Sequence, residues 1–146
     1  MKIESKLEKI KERFSKVIVS LEEKTKNRIY IEISPDCIFE IANFFKELNF
    51  RFAIASGVDT PSGIEILYHF SDDKSGKIIT LRTLIKDKKD PKIQSITPII
   101  KGAEWIEREI WELLGVNFVG HPNLKHLLLK DDWPEGKYPL RKEKNE

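Results

Sequence analysis

The sequence predicts an α+β fold: a mostly antiparallel sheet of four to five strands with helices packed on one face, then a further helix and an extended C-terminal tail. Three observations lead there. Several short runs place apolar residues at every second position, the period of a half-buried strand. Other runs repeat every three to four positions, the period of an amphipathic helix. Turn residues then divide the later strands so closely that neighbours must pair antiparallel.

Taken in order, Ile3, Leu7, Ile10, Phe14, Val17 and Leu21 step by four and three, which predicts a charged helix with a narrow apolar stripe reaching Leu21. Such a stripe either covers its own domain's sheet or forms a seam for a partner helix. In "RIYIEIS", Ile29, Ile31 and Ile33 alternate with Arg28, Tyr30 and Glu32 and predict the first strand. Ser34, Pro35 and Asp36 supply an N-cap, a first-turn proline and an acid suited to the helix dipole. The helix they open buries Ile38, Ile41, Ala42, Phe45 and Leu48. Beyond Asn49, "FRFAIAS", "IEILYHF" and "KIITLRTLIK" read as three strands, divided by Thr60-Pro61-Ser62-Gly63 and by the turn from Ser71 to Gly76.

From Asp87 the character changes. A charged loop, "DKKDP", and an extended piece, "KIQSITP", lead to a helix over Glu104 to Leu114, with Gly115 placed to end it in the left-handed conformation. Its face of Ile106, Ile110, Leu113 and Leu114 belongs to the core. Glu104, Arg108 and Glu112 stand at i, i+4 and i+8 and predict a ladder in which Arg108 pairs with a carboxylate above and below, flanked by Glu107 and Trp111. Residues 1–120 form the α+β domain in this reading, and 121–146 a tail bent by Pro122, Pro134 and Pro139. Leu127, Leu128, Leu129, Trp133, Tyr138 and Leu140 give that tail large apolar side chains. These either fold back on the core or lie in another protein's groove, and preset proline bends favour the groove because they lower the entropy lost on docking.

Composition narrows the functional classes. The chain has 146 residues, 40% hydrophobic and 34% charged, with a net charge of +2 spread along its length, so nothing demands a nucleic acid partner. One cysteine, Cys37, excludes an internal disulfide and an iron–sulfur cluster held wholly by this chain's thiolates. No apolar run approaches the roughly 20 residues of a membrane span, so membrane association is expected only through other proteins.

Chemical motifs are scarce. His121 and His126 stand five apart without the short paired spacings of a zinc site, and His121 before Pro122 is better suited to a turn or a backbone hydrogen bond. Phosphate-binding GxGxxG and GxxxxGK[S/T] loops are missing, as is a GxSxG nucleophile elbow. Glu107, Glu109 and Glu112 could be acid and base only if their environments pushed their pKa values apart, whereas an adjacent arginine favours the ionised form of each. Two rival classes stay open: an enzyme using Glu107, Glu109 and His121, and a nucleic acid-binding domain using exposed lysines with Tyr30 and Tyr68.

"EWIEREIWELLGVNFVGHPNLKHLLL", followed by "DWPEG" and "YPLRK" and preceded by "PKIQSI", resembles the 30 kDa subunit of respiratory complex I (NADH dehydrogenase) and its relatives in membrane-bound energy-converting nickel–iron hydrogenases. The resemblance runs from about Pro91 to Lys142; before Pro91 only the order of helices and strands agrees. It implies a peripheral subunit on the cytoplasmic side of the cell membrane that carries no cofactor. Its implied partners are a large subunit, holding a nickel–iron site or forming a quinone pocket, and a neighbouring iron–sulfur subunit. Glu107, Arg108, Glu109, Trp111, Gly115, Phe118, Gly120, His121, Pro122, Leu124, Trp133, Pro139, Leu140 and Arg141 fall on the family's motif, with an implied role at an interface. Gly136-Lys137-Tyr138 replaces the Gly-His common in quinone-reducing members, and Glu143 an Asp, which places the chain nearer the hydrogenase type; the sequence ends soon after this motif with no fused large subunit, and a separate small polypeptide is expected.

Overall fold

The computed structural model describes residues 1–142. A five-stranded sheet carries all three α-helices on one face. Helix α1 spans Ile3–Phe14, and strands β1, Ile18–Thr25, and β2, Arg28–Ile33, form a hairpin after it. A 3-10 turn, Pro35–Cys37, leads into α2, Ile38–Glu47. Strands β3, Arg51–Thr60, β4, Gly63–Asp72, and β5, Lys77–Ile85, follow as an antiparallel meander. Beyond them lie β6, Lys92–Gln94, a 3-10 turn at Lys101–Ala103, α3 over Glu104–Leu114, and β7, Asn117–Val119. The strand order is β1-β2-β5-β4-β3; β2 and β5 are parallel, and β6 and β7 make a separate parallel pair.

Two expectations fail here: Ser34 makes no side-chain cap, since a 3-10 turn over Pro35–Cys37 precedes α2 and the Ser34 carbonyl accepts the Cys37 amide instead, and the first helix is shorter than its apolar stripe. The helical stripe does not reach Leu21: α1 stops at Phe14, Val17 lies in the turn that follows, and Leu21 belongs to β1. Apolar spacing of three and four fits a helix, but Val17, Ile18 and Val19 are β-branched and favour extended backbone. Antiparallel pairing with β2, Leu21 opposite Ile31, then supplies the hydrogen bonds that an isolated helical extension would have to make alone. What remains of the stripe covers its own domain. Ile10 is fully buried, Phe14 packs edge-on against Phe44 at 5.6 Å, and the buried Lys6 pairs with Asp72 of β4 at 2.8 Å.

The alternation read from the sequence sets the core. Ile29, Ile31 and Ile33 of β2, Ile79 and Leu81 of β5, and Ile64, Ile66, Tyr68 and Phe70 of β4 are all buried. Phe45 of α2 stacks edge-on with Phe70 and Phe50, each at 5.0 Å. A bulge between Phe52 and Ile54 lets Phe52 share the face of Phe70 while Ala55, Gly57 and Asp59, an odd number of residues on, also face the helices. Without the extra residue the two sets would point to opposite faces. Gly57 is the seat of α3. A Cβ there would lie 2.6 Å from Leu114 Cδ1 and 3.2 Å from Ile110 Cγ2, so the missing side chain lets the helix approach the strand.

Candidate docking interface

Helix α3 forms where expected, and its polar residues decide what surrounds it. Ile110 and Leu114 are buried against β3, while Ile106 and Leu113 are half-buried. The ladder of Glu104, Arg108 and Glu112 is not what the structure contains. Arg108 and Glu112 are both buried, and neither forms an ion pair among the described residues. Arg108 donates from Nε to the carbonyl of Lys125 at 2.9 Å and from Nη2 to that of His126 at 2.7 Å. Glu112, one turn on, accepts the backbone amides of Leu127, Leu128 and Leu129 at 2.9–3.1 Å. One helix face therefore binds a continuous stretch of tail, first by its carbonyls and then by its amides. Burial of a charge is offset only when such partners satisfy it, and backbone groups can do so as well as an opposite charge.

Burial alone would raise the Glu112 pKa; the amides of Leu128, Leu129 and Leu127, with His126 nearby, outweigh it and hold the carboxyl below its ordinary range. Glu107 faces the other way and is fully buried. Its carboxylate accepts the Ser95 hydroxyl at 2.6 Å, the Ile96 amide at 3.1 Å and the Thr97 hydroxyl, which ties α3 to the segment leaving β6. Tyr68 lies fully buried on the sheet, its phenol pushed well up by burial and by the charge of Glu107. No ring there is open to stack on a base, which removes Tyr68 from the nucleic acid reading. Glu107 and His121 serve separate structural contacts, which leaves the enzymatic constellation unassembled.

Past the helix, Gly115 adopts φ 77° and donates its amide to the Trp111 carbonyl at 2.9 Å. Val116 and Phe118 return the backbone to the core, and Gly120 turns it out of β7 at φ 84°. His121 takes the backbone role expected of it. Its Nε2 donates to the Glu104 carbonyl at 3.0 Å, because Nδ1 accepts the Asn123 amide at 3.0 Å and that leaves the ring proton on Nε2. Pro122 is exposed and Leu124 half-buried. His126 packs against Trp111 with centroids 5.2 Å apart.

The end of the tail comes back to the same helix. Leu140 donates its amide to the Leu113 carbonyl at 2.9 Å, and Arg141 Nη1 reaches the Leu114 carbonyl at 3.1 Å, capping two acceptors that a helix terminus leaves open. Arg141 also donates to the Lys88 carbonyl, and the Lys142 amide donates to Asp59 Oδ2 at 2.7 Å. Asp59 is buried in β3 and pairs with Lys88 at 2.6 Å. Burial works to raise its pKa, but the Lys88 hydrogen bond, the Lys142 amide and the charges of Lys88 and Arg141 bring it below the usual value. Trp133 donates its indole N–H to the Lys137 carbonyl at 2.8 Å. Pro139 is exposed, Glu109 half-buried, and Glu143 lies outside the described residues.

Sequence reasoning missed Asp59, Lys88, Ser95 and Thr97. Only Asp59 carried a signal, as an acid on the inward side of a strand's alternation.

Although its backbone is held by its own domain, the tail keeps several apolar side chains in solvent. Leu128 is 64% exposed and Leu140 55%, and Trp105 at the start of α3 is 67% exposed. Apolar side chains of this size left in solvent are candidates for contact with another protein. Fold and site thus define a small α+β domain whose tail is ordered against its last helix and presents apolar side chains outward.

Residues 31–145 match the family described as "Respiratory-chain NADH dehydrogenase, 30 Kd subunit", and the protein belongs to that family. It is 34% identical over 139 residues to an NADH-quinone oxidoreductase subunit of Chloroherpeton thalassium, covering 92% of this sequence and 57% of that protein. It is 38% identical over 84 residues to a much longer NADH-quinone oxidoreductase subunit of Phocaeicola vulgatus, but there the match spans 58% of this sequence and only 16% of the relative. Among solved structures it is similar to one polypeptide of the membrane-bound sulfane sulfur reductase, an archaeal respiratory membrane complex, with a TM-score of 0.82, 26% identity, and coverage of 94% of this sequence and 82% of that one. No described helix is long and apolar enough to cross a membrane.

Proposed function

We propose that this chain is a non-catalytic, peripheral, cytoplasm-facing subunit of a membrane-bound multisubunit oxidoreductase. It scaffolds the large catalytic subunit and an iron–sulfur subunit, and electrons pass through those partners to protons or a quinone, coupled to ion translocation. The chain itself holds no redox group in this reading; iron–sulfur clusters, and nickel and iron in a hydrogenase-type complex, belong to the partners. The observation that carries the reading is the double use of the tail: Arg108, Glu112 and Arg141 fix its backbone to α3 while Leu128, Leu140 and Trp105 face outward. Pre-ordering a segment before it meets a partner lowers the entropy lost on docking.

Gly136-Lys137-Tyr138, in place of the Gly-His common in quinone-reducing members, supports the hydrogenase-type branch. A complex I role is the second reading, supported by the names of the quinone oxidoreductase relatives.

The test is to tag the protein in its native host, solubilise the membranes gently and identify what co-purifies. A large subunit with two CxxC pairs beside iron–sulfur and integral membrane subunits supports the favoured branch, and a large subunit lacking those cysteines supports a quinone-type or sulfur-reducing complex. A protein that emerges alone overturns both. Trp105→Arg with Leu128→Arg is expected to abolish co-purification while leaving the thermal melt of the isolated protein within a few degrees, since exposed positions contribute little to folding; normal assembly of that variant would locate the interface elsewhere.

A further inference from the structure

Between the tail and the loop after β5 runs an open cleft of about 960 Å³. Lys88, Lys89, Lys137, Arg141 and Lys142 line it, against one carboxylate, Asp90. Buried Asp59 behind Lys88 and Arg141 offsets a further charge, so the lining keeps a clear positive excess in a protein whose total is only +2. The tail's own acids, Asp131, Asp132 and Glu135, are not among the lining residues. Lys89 and Lys137 are exposed, and neither makes an ion pair among the described residues. Trp111, Trp133 and Tyr138 form the apolar walls.

We infer that this cleft is the seat of an acidic segment of a partner subunit, a stretch whose carboxylates meet Lys89 and Lys137 and which lays an apolar side chain against the Trp133 indole. The inference rests on the docking reading and deepens it by naming the chemistry of the partner. Charge complementarity selects the occupant: a focused positive cleft raises the rate and register of association with an anionic surface. Its size exceeds what a lone phosphate would need, and its continuity with the tail puts it beside the outward-facing Leu140. A nucleic acid strand would need open ring faces for its bases. Trp111 instead packs on His126 and the Tyr138 ring closes on Gly115, which leaves the Trp133 indole as a single platform and not a row of them.

The intact complex, purified from the host, is treated with a carbodiimide, which joins a lysine amine to a carboxylate already in contact with loss of water. Mass spectrometry is expected to find Lys89 and Lys137 joined to Asp or Glu of one partner segment in which acids outnumber bases. Lys89→Glu with Lys137→Glu is expected to lower the assembled fraction by about tenfold, with restoration when the linked partner acids are changed to Lys. The isolated double variant should melt as the parent does. A complex that forms but carries no partner link to either lysine, while other lysines of the protein are linked, overturns this inference and leaves the docking reading intact. Absence of any co-purifying subunit overturns the docking reading itself. Salt-sensitive binding of a fluorescent poly-dT oligonucleotide by the isolated protein, lost in the double variant, would assign the cleft to nucleic acid and also overturn the inference.

Discussion

Glu112 shows how one residue carries structural consequence that spacing cannot specify. Its position on α3 is legible from the sequence, but its partners are three consecutive amides 15 to 17 residues away. Glu112→Ala would leave those donors without an acceptor, at a cost of about 2–4 kcal/mol. Amide hydrogen exchange at Leu127, Leu128 and Leu129 should accelerate together in that variant; unchanged protection there would show that the carboxylate does not hold the tail. Arg108→Ala is expected to free the Lys125 and His126 carbonyls and produce the same loosening, so its effect is felt in the isolated protein as well as in a complex. Glu107→Gln keeps the shape of its site but loses the charge toward which two hydroxyls and an amide converge. A loss of about 1–3 kcal/mol in denaturant unfolding is expected, with the larger disturbance in residues 95–97.

Among the elements, the stop of α3 couples the helix to the tail. Gly115 needs its positive φ to end the helix, and a Cβ there would lie 2.5 Å from the Tyr138 ring. Gly115→Ala therefore strains the backbone and displaces the ring, at about 1–3 kcal/mol. Tyr138 and its neighbour Trp133 should move into solvent, and a red shift in tryptophan emission without loss of far-ultraviolet helix signal would report it; an unshifted spectrum would mean that the tail accommodates the methyl group. Element boundaries were legible where period and punctuation agreed. Helix α3 runs over the residues its periodicity predicts, ended by the predicted glycine, and the β4 and β5 alternations match their burial. Strand β1 escaped because its apolar spacing satisfies the helical period as well, and pairing with β2 is a contact between segments that no local pattern encodes.

For the molecule as a whole, three carboxyls join distant parts of the fold: Asp72 binds α1 through Lys6, Asp59 binds the tail's end, and Glu112 its middle. Burial pushes the Asp72 pKa up, but the Lys6 and Ser75 hydrogen bonds and the charge of Lys6 leave it lowered, as Asp59 and Glu112 are lowered. A carboxyl depressed in the folded state adds stability that is fully present above its ordinary value, 3.8 for aspartate and 4.5 for glutamate. That stability is lost as pH falls through the folded-state values. The unfolding free energy should thus stay level from neutral pH to about 5 and fall steeply below about 4. Glu112→Gln should flatten the decline, and an equally steep decline would exclude Glu112 as a contributor.

By itself the sequence determined the α+β class, the inward faces of β2, β4 and β5, the extent and end of α3, and the family motif, because periodicity, turn chemistry and helix stops are local properties written in neighbouring residues. Tertiary structure alone decided the strand order, the β1 hairpin, and the partners of Glu107, Arg108 and Glu112. A charge on a helix announces that it needs a counterpart, but whether that is a side chain one turn away or the backbone of a distant segment depends on which surfaces the fold brings together, and on the desolvation that makes a buried, fully hydrogen-bonded charge preferable to an exposed pair.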